Sequence, residues 1–361
     1  MTRRHTIVGA VLGALGVVLA ASVTAQQSPG RWDTEKYAKL PQPAEEYTPV
    51  QVNDKLYLIG GNAAVLTPGA RATHPARVMV YDLPNNAWAE KKNTPFFADH
   101  MSAATANGKI YVFGGSGAMT QEAPSATLDN AWEYDPAADS WKALAKLNAK
   151  RTAGAAVEFG GKIYFIGGST DVTGPDGRVQ NAGLVVGTNE AYDPATNKWE
   201  THKPMPTPRN HPAIGVVNGK IYLIGGRITA NNIGGFTAEN VDVVEEYSPA
   251  TDSWRAMNRM PTPRSGQGWT TYQNKIYVAG GEHKDYHIEG PLRDVEVFDP
   301  AVNDWYRLPA LPTARHGVNV AAYNGKLFVI GGHLVFAGGG GHALDAPNNE
   351  VFEFAGAGRT N

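Results

Sequence analysis

Gly108-Lys109-Ile110-Tyr111-Val112-Phe113-Gly114-Gly115 is a short apolar strand that ends in two glycines, and the same shape returns along the whole chain. The other copies end at Gly60-Gly61, Gly167-Gly168, Gly225-Gly226, Gly280-Gly281 and Gly331-Gly332, which makes six at steps of 54, 53, 58, 55 and 51 residues. A self-similar period near fifty residues marks a propeller or an array, because one such unit cannot bury its apolar face alone.

Other positions keep step with the diglycines. An apolar segment ends in an aromatic residue and usually Asp, at Tyr81-Asp82, Tyr134-Asp135, Tyr192-Asp193, Tyr247-Ser248 and Phe298-Asp299. Seven residues beyond each aromatic stands a Trp: Trp88, Trp141, Trp199, Trp254 and Trp305. Between them lie turn-forming residues such as Asp193-Pro194-Ala195-Thr196-Asn197, where Pro presets φ and Asp and Asn bond nearby backbone. That is a strand, a tight turn and a strand. Ten residues past four of the Trp residues come Arg151, Arg209, Arg264 and Arg315, followed by a small-residue strand and the next diglycine strand. Each unit thus holds four strands.

This grammar resembles the kelch repeat over nearly all of the chain after the first thirty residues. The resemblance implies an all-β, six-bladed kelch-type β-propeller with four antiparallel strands per blade, a fold that handles sheet edges by radial repetition. The ends of the chain suggest how the ring closes. Asn349 to Phe354 reads as a third strand, yet Ala355-Gly356-Ala357-Gly358 follows with no Trp; Trp32 precedes Gly60 by 28 residues, where the other Trp residues precede their diglycines by 26. Residues 31–38 are therefore expected to complete the C-terminal blade as an N-terminal outer strand by pairing with residues 350–354.

Before that strand, Arg3, Arg4 and His5 precede an apolar run from Ile7 to Ala21, and Val23-Thr24-Ala25 offers small side chains for cleavage. The run is short for a membrane span. Residues 1–25 are expected to be a signal peptide and 26–361 a single propeller domain, exported to the periplasm or the exterior, with no membrane contact after cleavage. Thr2-Arg3-Arg4 hints at twin-arginine export, but the surrounding residues fit that signal poorly. The chain has no Cys, which suits an oxidising compartment. Removing residues 1–25 takes Arg3 and Arg4 and no acidic residue, leaving 30 basic against 34 acidic residues. A mildly acidic surface argues against nucleic acid as a partner, and a monomer is expected.

Blade topology puts the loops after the diglycines on the same face as the connections that carry the Arg residues, and those loops are the long ones. A ring formed by Arg151, Arg209, Arg264 and Arg315 would suit an acidic small molecule, a glycan or a protein segment; the alternative is that each Arg is part of the repeat and pairs with backbone or neighbouring blades. His100, His211 and His316, beside Asp99 and Asn210, vary between blades where structure alone would ask for sameness. His283 belongs to the fifth loop, Glu282 to Glu289; His74, His287, His333 and His342 fall on the same face. No HExxH, paired Cys or Asp-rich calcium loop is present, so no metal and no cofactor are expected. Phe236, Leu334, Val335 and Phe336 are the apolar hints of an assembly platform on that face.

Two enzyme groups are built on kelch propellers, galactose oxidase on a larger ring. Galactose oxidase chemistry needs a Tyr crosslinked to Cys, and no Cys exists here. The chain is also similar in layout to the periplasmic sialic acid mutarotases, and that resemblance implies Glu282 as a general base with Arg293 before the next strand, at a longer spacing. The expectation is an exported ligand-binding propeller, with the mutarotase-type enzyme as the alternative.

Overall fold

The computed structural model describes residues 29–62, 75–173, 179–230, 237–284, 289–335 and 344–355. Among them are six four-stranded antiparallel sheets. Blade 1 is Glu45–Val52, Lys55–Asn62, Val78–Asp82 and Ala87–Lys91, and blade 2 is Ser102–Ala106, Lys109–Phe113, Ala131–Asp135 and Ser140–Ala143. Blades 3 to 5 begin at Ala155–Phe159, Ala213–Val217 and Gly268–Tyr272 and repeat the pattern. Blade 6 takes Asn319–Tyr323, Lys326–Ile330 and Asn349–Phe354 from the end of the chain and Gly30–Asp33 from its beginning. The first strands touch in cyclic order, the sixth against the first.

The closing strand is shorter than expected. Trp32 pairs with Phe352 and Asp33 with Val351; the chain then leaves the sheet, and Ala38 runs along blade 1, where its amide donates to the Asn86 side chain at 2.6 Å. The first strands begin a few residues beyond the Arg positions. Arg151, Arg209, Arg264 and Arg315 stand ahead of them, separated by residues that bridge to the segment after the diglycine: Thr152 with Ser169, Asn210 with Arg227, Ser265 with Glu282 and His316 with His333. In blade 2, Phe97–Asp99 makes the same pairing with Ser116–Ala118.

The repeated aromatics explain why these segments form these blades. Each Trp rests on the aromatic of its partner strand, with centroids 4.8 Å apart for Tyr81 and Trp88, 5.2 Å for Tyr192 and Trp199 and 5.3 Å for Phe352 and Trp32. Its indole N–H then donates to the chain that leaves the preceding blade's outer strand: Trp88 to Ala38 carbonyl, Trp199 to Ala145, Trp254 to Lys203 and Trp32 to Pro309, at 3.2, 2.9, 2.8 and 2.9 Å. The turn-following Trp residues thus hold blades together, as an aromatic with one polar edge can. The diglycines serve the opposite contact. Gly114 and Gly115 have φ of 60° and 108°, a Cβ on Gly114 would lie 2.1 Å from the Arg151 carbonyl, and the Gly115 amide donates to that carbonyl at 2.9 Å. Only glycine lets the backbones come so close.

The four Arg residues are interior. Their exposures are 0–1 %, and each faces a Glu of its own third strand: Arg151 with Glu190, Arg209 with Glu245 at 2.5 Å, Arg264 with Glu296 at 2.5 Å and Arg315 with Glu350 at 2.9 Å. Each guanidinium also donates to backbone carbonyls, as from Arg209 to Gly225 and Leu223. The expected ligand-facing Arg ring is therefore corrected: these guanidiniums are buried inside the blades as part of the repeat, bonded to backbone as the alternative had them, but with a Glu of their own blade in place of a neighbouring blade.

Candidate site at the axial mouth

One backbone position, repeated six times, builds the mouth of the ring. It lies 14 residues before the first glycine of each pair and is held by Glu46, His100, Ala153, His211, Gly266 and Gly317. All six have left-handed backbone, with φ of 55°, 50°, 54°, 53°, 58° and 60°. Such φ is uncommon outside Gly, and here it turns the chain from the edge pairing into the first strand. Backbone bonds link neighbouring members: the Ala153 amide donates to the His100 carbonyl and the His211 amide to that of Ala153, both at 2.8 Å, and Gly317 donates to Gly266 at 2.7 Å. The six line a cavity of about 70 Å³, bordered also by Trp269. Trp269 borders a wider axial channel of about 320 Å³ as well, walled by residues 49–51, 104–105, 156–158, 214–215 and 269–271 of the first strands.

The same turn therefore presents different chemistry in each blade. His100 Nδ1 lies 2.7 Å from Asp99 Oδ1, and its Nε2 is 3.6 Å from Glu46 Oε2. Burial alone would lower the His100 pKa, but the Glu46 and Asp99 carboxylates outweigh it and raise the value to about 10. His211 stands edge-on to His100 with centroids 5.1 Å apart. Its Nδ1 is 2.9 Å from Asn210 Oδ1. Burial, with help from the Arg227 guanidinium and the His100 and His316 rings, holds the His211 pKa well below the usual histidine value. Two neighbouring imidazoles are thus driven to opposite charge states by what surrounds them.

A second tier surrounds the first. Arg227 bridges blades, donating from Nε to Asn210 Oδ1 at 3.2 Å and from Nη1 to Glu282 Oε1 at 2.7 Å. His316 is 1 % exposed and packs against His333 with centroids 5.5 Å apart; burial lowers its pKa first of all, against the raising effect of Glu282 and Glu46. His333 Nδ1 meets Asp345 at 2.9 Å.

Of the residues marked in the sequence, His100 and His211 meet at the mouth and His316 stands behind it. His283 lies in the short ribbon Glu282–Lys284, paired with Gly290, and does not line the cavity. Glu282 is 1 % exposed, and its carboxylate is held by Arg227 and by the Ser265 hydroxyl at 3.2 Å. Arg293 is exposed and turns its Nε–H to the Leu311 carbonyl at 2.5 Å. A carboxylate saturated by an interblade guanidinium is a poor general base. His74, His287 and His342, Phe236 and Phe336, and the signal segment lie outside the described residues. Glu46 and Arg227 were missed, although counting back from the diglycines finds the first and the residue after Gly225-Gly226 is the second.

The repeat geometry is that of a kelch propeller, and comparison bears this out. The KLHDC2/KLHL20/DRC7 kelch-repeats domain matches residues 25–226 and again 153–355. The chain belongs to the kelch-repeat family. Kelch-like protein terF of Aspergillus terreus is 28% identical over 316 residues, 85% of this chain and 65% of that protein. Kelch-like protein 23 of Homo sapiens is 27% identical over 282 residues, 77% of this chain and 43% of that one; beta-scruin of Limulus polyphemus is 29% identical over 227 residues, covering 62% and 23%. The chain thus spans less than two thirds of these curated relatives. Among solved structures, that of YjhT is similar in fold at a TM-score of 0.66 and 18% identity, covering 86% of this chain and 95% of that one.

Proposed function

We propose that this chain is a binding propeller that docks a protein segment across its long-loop face, with one side chain of that segment entering the axial mouth. The observation that supports this reading is the ring of six equivalent left-handed turns bearing Glu46, His100, Ala153, His211, Gly266 and Gly317. A purely structural turn would favour Gly in every blade, yet charged and imidazole groups stand where only two blades have Gly. Kelch-repeat propellers generally bind protein partners. The described cavity of about 70 Å³ is small beside the ~300–1,000 Å³ of pockets that enclose whole ligands, which suits a side chain better than a sugar ring. An acidic ligand loses its support with the burial of the four Arg residues, and sugar-ring opening by Glu282 loses its support with the Arg227 ion pair. Export to the periplasm or the exterior belongs to the same reading, on the basic, apolar and small-residue pattern of residues 1–25; N-terminal sequencing of the mature protein, expected to start at Gln26, tests it.

The docking itself is tested by selecting binders from a random peptide library and mapping hydrogen exchange of the complex. Protection centred on His100, Ala153, His211 and Gly266 is expected. Protection confined to the Asp-Pro turns on the opposite face would overturn the reading.

A further inference from the structure

We propose that Glu46, His100 and His211 form a binding site for one divalent transition-metal ion at the axial mouth. One ligand atom from each residue lies within 4.8 Å of the others, and His100 Nε2 and Glu46 Oε2 are 3.6 Å apart. Metal–nitrogen and metal–oxygen bonds of about 2.0–2.2 Å place neighbouring ligand atoms roughly 3–4 Å from one another, so small side-chain rotations close the set. The three residues come from three blades, which is why no short sequence motif announces them.

The hydrogen bonds fix which nitrogen each ring offers. A carboxylate only accepts, so His100 Nδ1 carries hydrogen toward Asp99 and turns Nε2 to Glu46. Asn210 Oδ1 receives Arg227 Nε–H, and the Asn210 amide nitrogen donates to Ser169 Oγ at 2.7 Å; this amide orientation makes His211 Nδ1 the donor. His211 Nε2 is then a lone pair, buried and without a hydrogen-bond partner. Both imidazoles therefore have the outer support that metal-binding histidines use, one from a carboxylate and one from an amide. Carboxylates also outnumber cations around the mouth, with Glu46, Asp99 and Glu282 set against Arg227.

Two imidazoles and one carboxylate suit zinc or a neighbouring first-row ion and do not suit calcium or magnesium, which take oxygen ligands. Three protein ligands leave at least one coordination position facing the cavity, open to water or to a donor from outside. The site does not require a docked partner, so either proposal stands if the other fails.

The test is a titration of the full chain, purified without a polyhistidine tag and stripped by chelator, with Zn²⁺ by calorimetry and with Co²⁺ by visible absorption. One equivalent of each is expected to bind, with d–d bands for Co²⁺. His100→Gly and His211→Gly place at these turns the residue that Gly266 and Gly317 already supply, and each is expected to weaken Zn²⁺ binding at least ~100-fold, while Asn210→Ala, which frees the His211 ring and also removes the bonds to Arg227 and Ser169, costs ~10–100-fold. If a glycine variant does not fold by circular dichroism, Glu46→Gln and Asn210→Ala carry the test. Absence of saturable binding at one equivalent, or binding unchanged in these variants, overturns the proposal.

Discussion

At the scale of single residues, the four buried Arg–Glu pairs explain a pattern that the sequence shows only when two positions are read together. Blades 1 and 2 have Ala44 and Ala98 where the others have Arg, and in those same blades the Glu two residues before the Tyr becomes Met79 or Trp132. The whole ion pair is exchanged for apolar side chains; Met79 is 1 % exposed, and Trp132 packs on Phe96 with centroids 5.9 Å apart. Removing one partner of a buried pair strands the other charge, whereas replacing both need cost little. Arg209→Ala is accordingly expected to lose about 3–5 kcal/mol in urea unfolding, and adding Glu245→Met, the blade 1 combination, to restore most of it. A double variant no better than the single would refute the pairing account. The Arg spacing was plain in the sequence, but its direction was not, because a guanidinium ahead of an inner strand can face the funnel or fold back behind the diglycine.

At the scale of elements, the turn between third and fourth strands is the most legible feature, since every part of it serves a local bond. Tyr134 and Tyr247 donate their hydroxyls to Asp139 and Asp252, five residues on, and those carboxylates also take the amides of Lys92 and Lys203 from the preceding blade. The Tyr hydroxyl first, then the backbone amide, holds each Asp pKa below the ordinary 3.8. A depressed carboxylate contributes stability that is present above its unfolded value and lost as pH falls through the folded one. Tyr134→Phe and Tyr247→Phe are therefore expected to lower stability at pH 6 and to flatten its decline between pH 5 and 3, read from urea midpoints at each pH. An unchanged decline would mean that these carboxylates do not carry the acid response. The start of each first strand was less legible: edge pairing and left-handed turn both depend on contact with the neighbouring blade, which no local pattern encodes.

For the whole molecule, closure depends on a strand borrowed from the other end of the chain. Phase alone revealed it, through a Trp at nearly the right distance from a diglycine. Its true extent, Gly30–Asp33, was not readable because the residues after it bond to blade 1 instead. Trp32→Ala removes both the Phe352 contact and the bond to Pro309, and is expected to cost roughly 2–4 kcal/mol, toward the low side of core Trp truncations because the ring is half-buried. Hydrogen exchange should rise first in Asn349–Phe354; a loss spread evenly over all blades would contradict a latch. The mouth was partly legible for the same reason of phase: His100 and His211 stood out by differing between blades, whereas Glu46 is reached only by counting back from Gly60.

If the six left-handed turns form a binding surface, affinity for a docked segment must depend on them. The direct measurement is the affinity of one library-selected peptide for the wild-type chain, for Glu46→Gln and His211→Gly, and for Lys198→Glu on the opposite face. A loss of about tenfold or more, ~1.4 kcal/mol, is expected in both mouth variants and none in Lys198→Glu. Equal affinity in the mouth variants, or a loss only in Lys198→Glu, would contradict it.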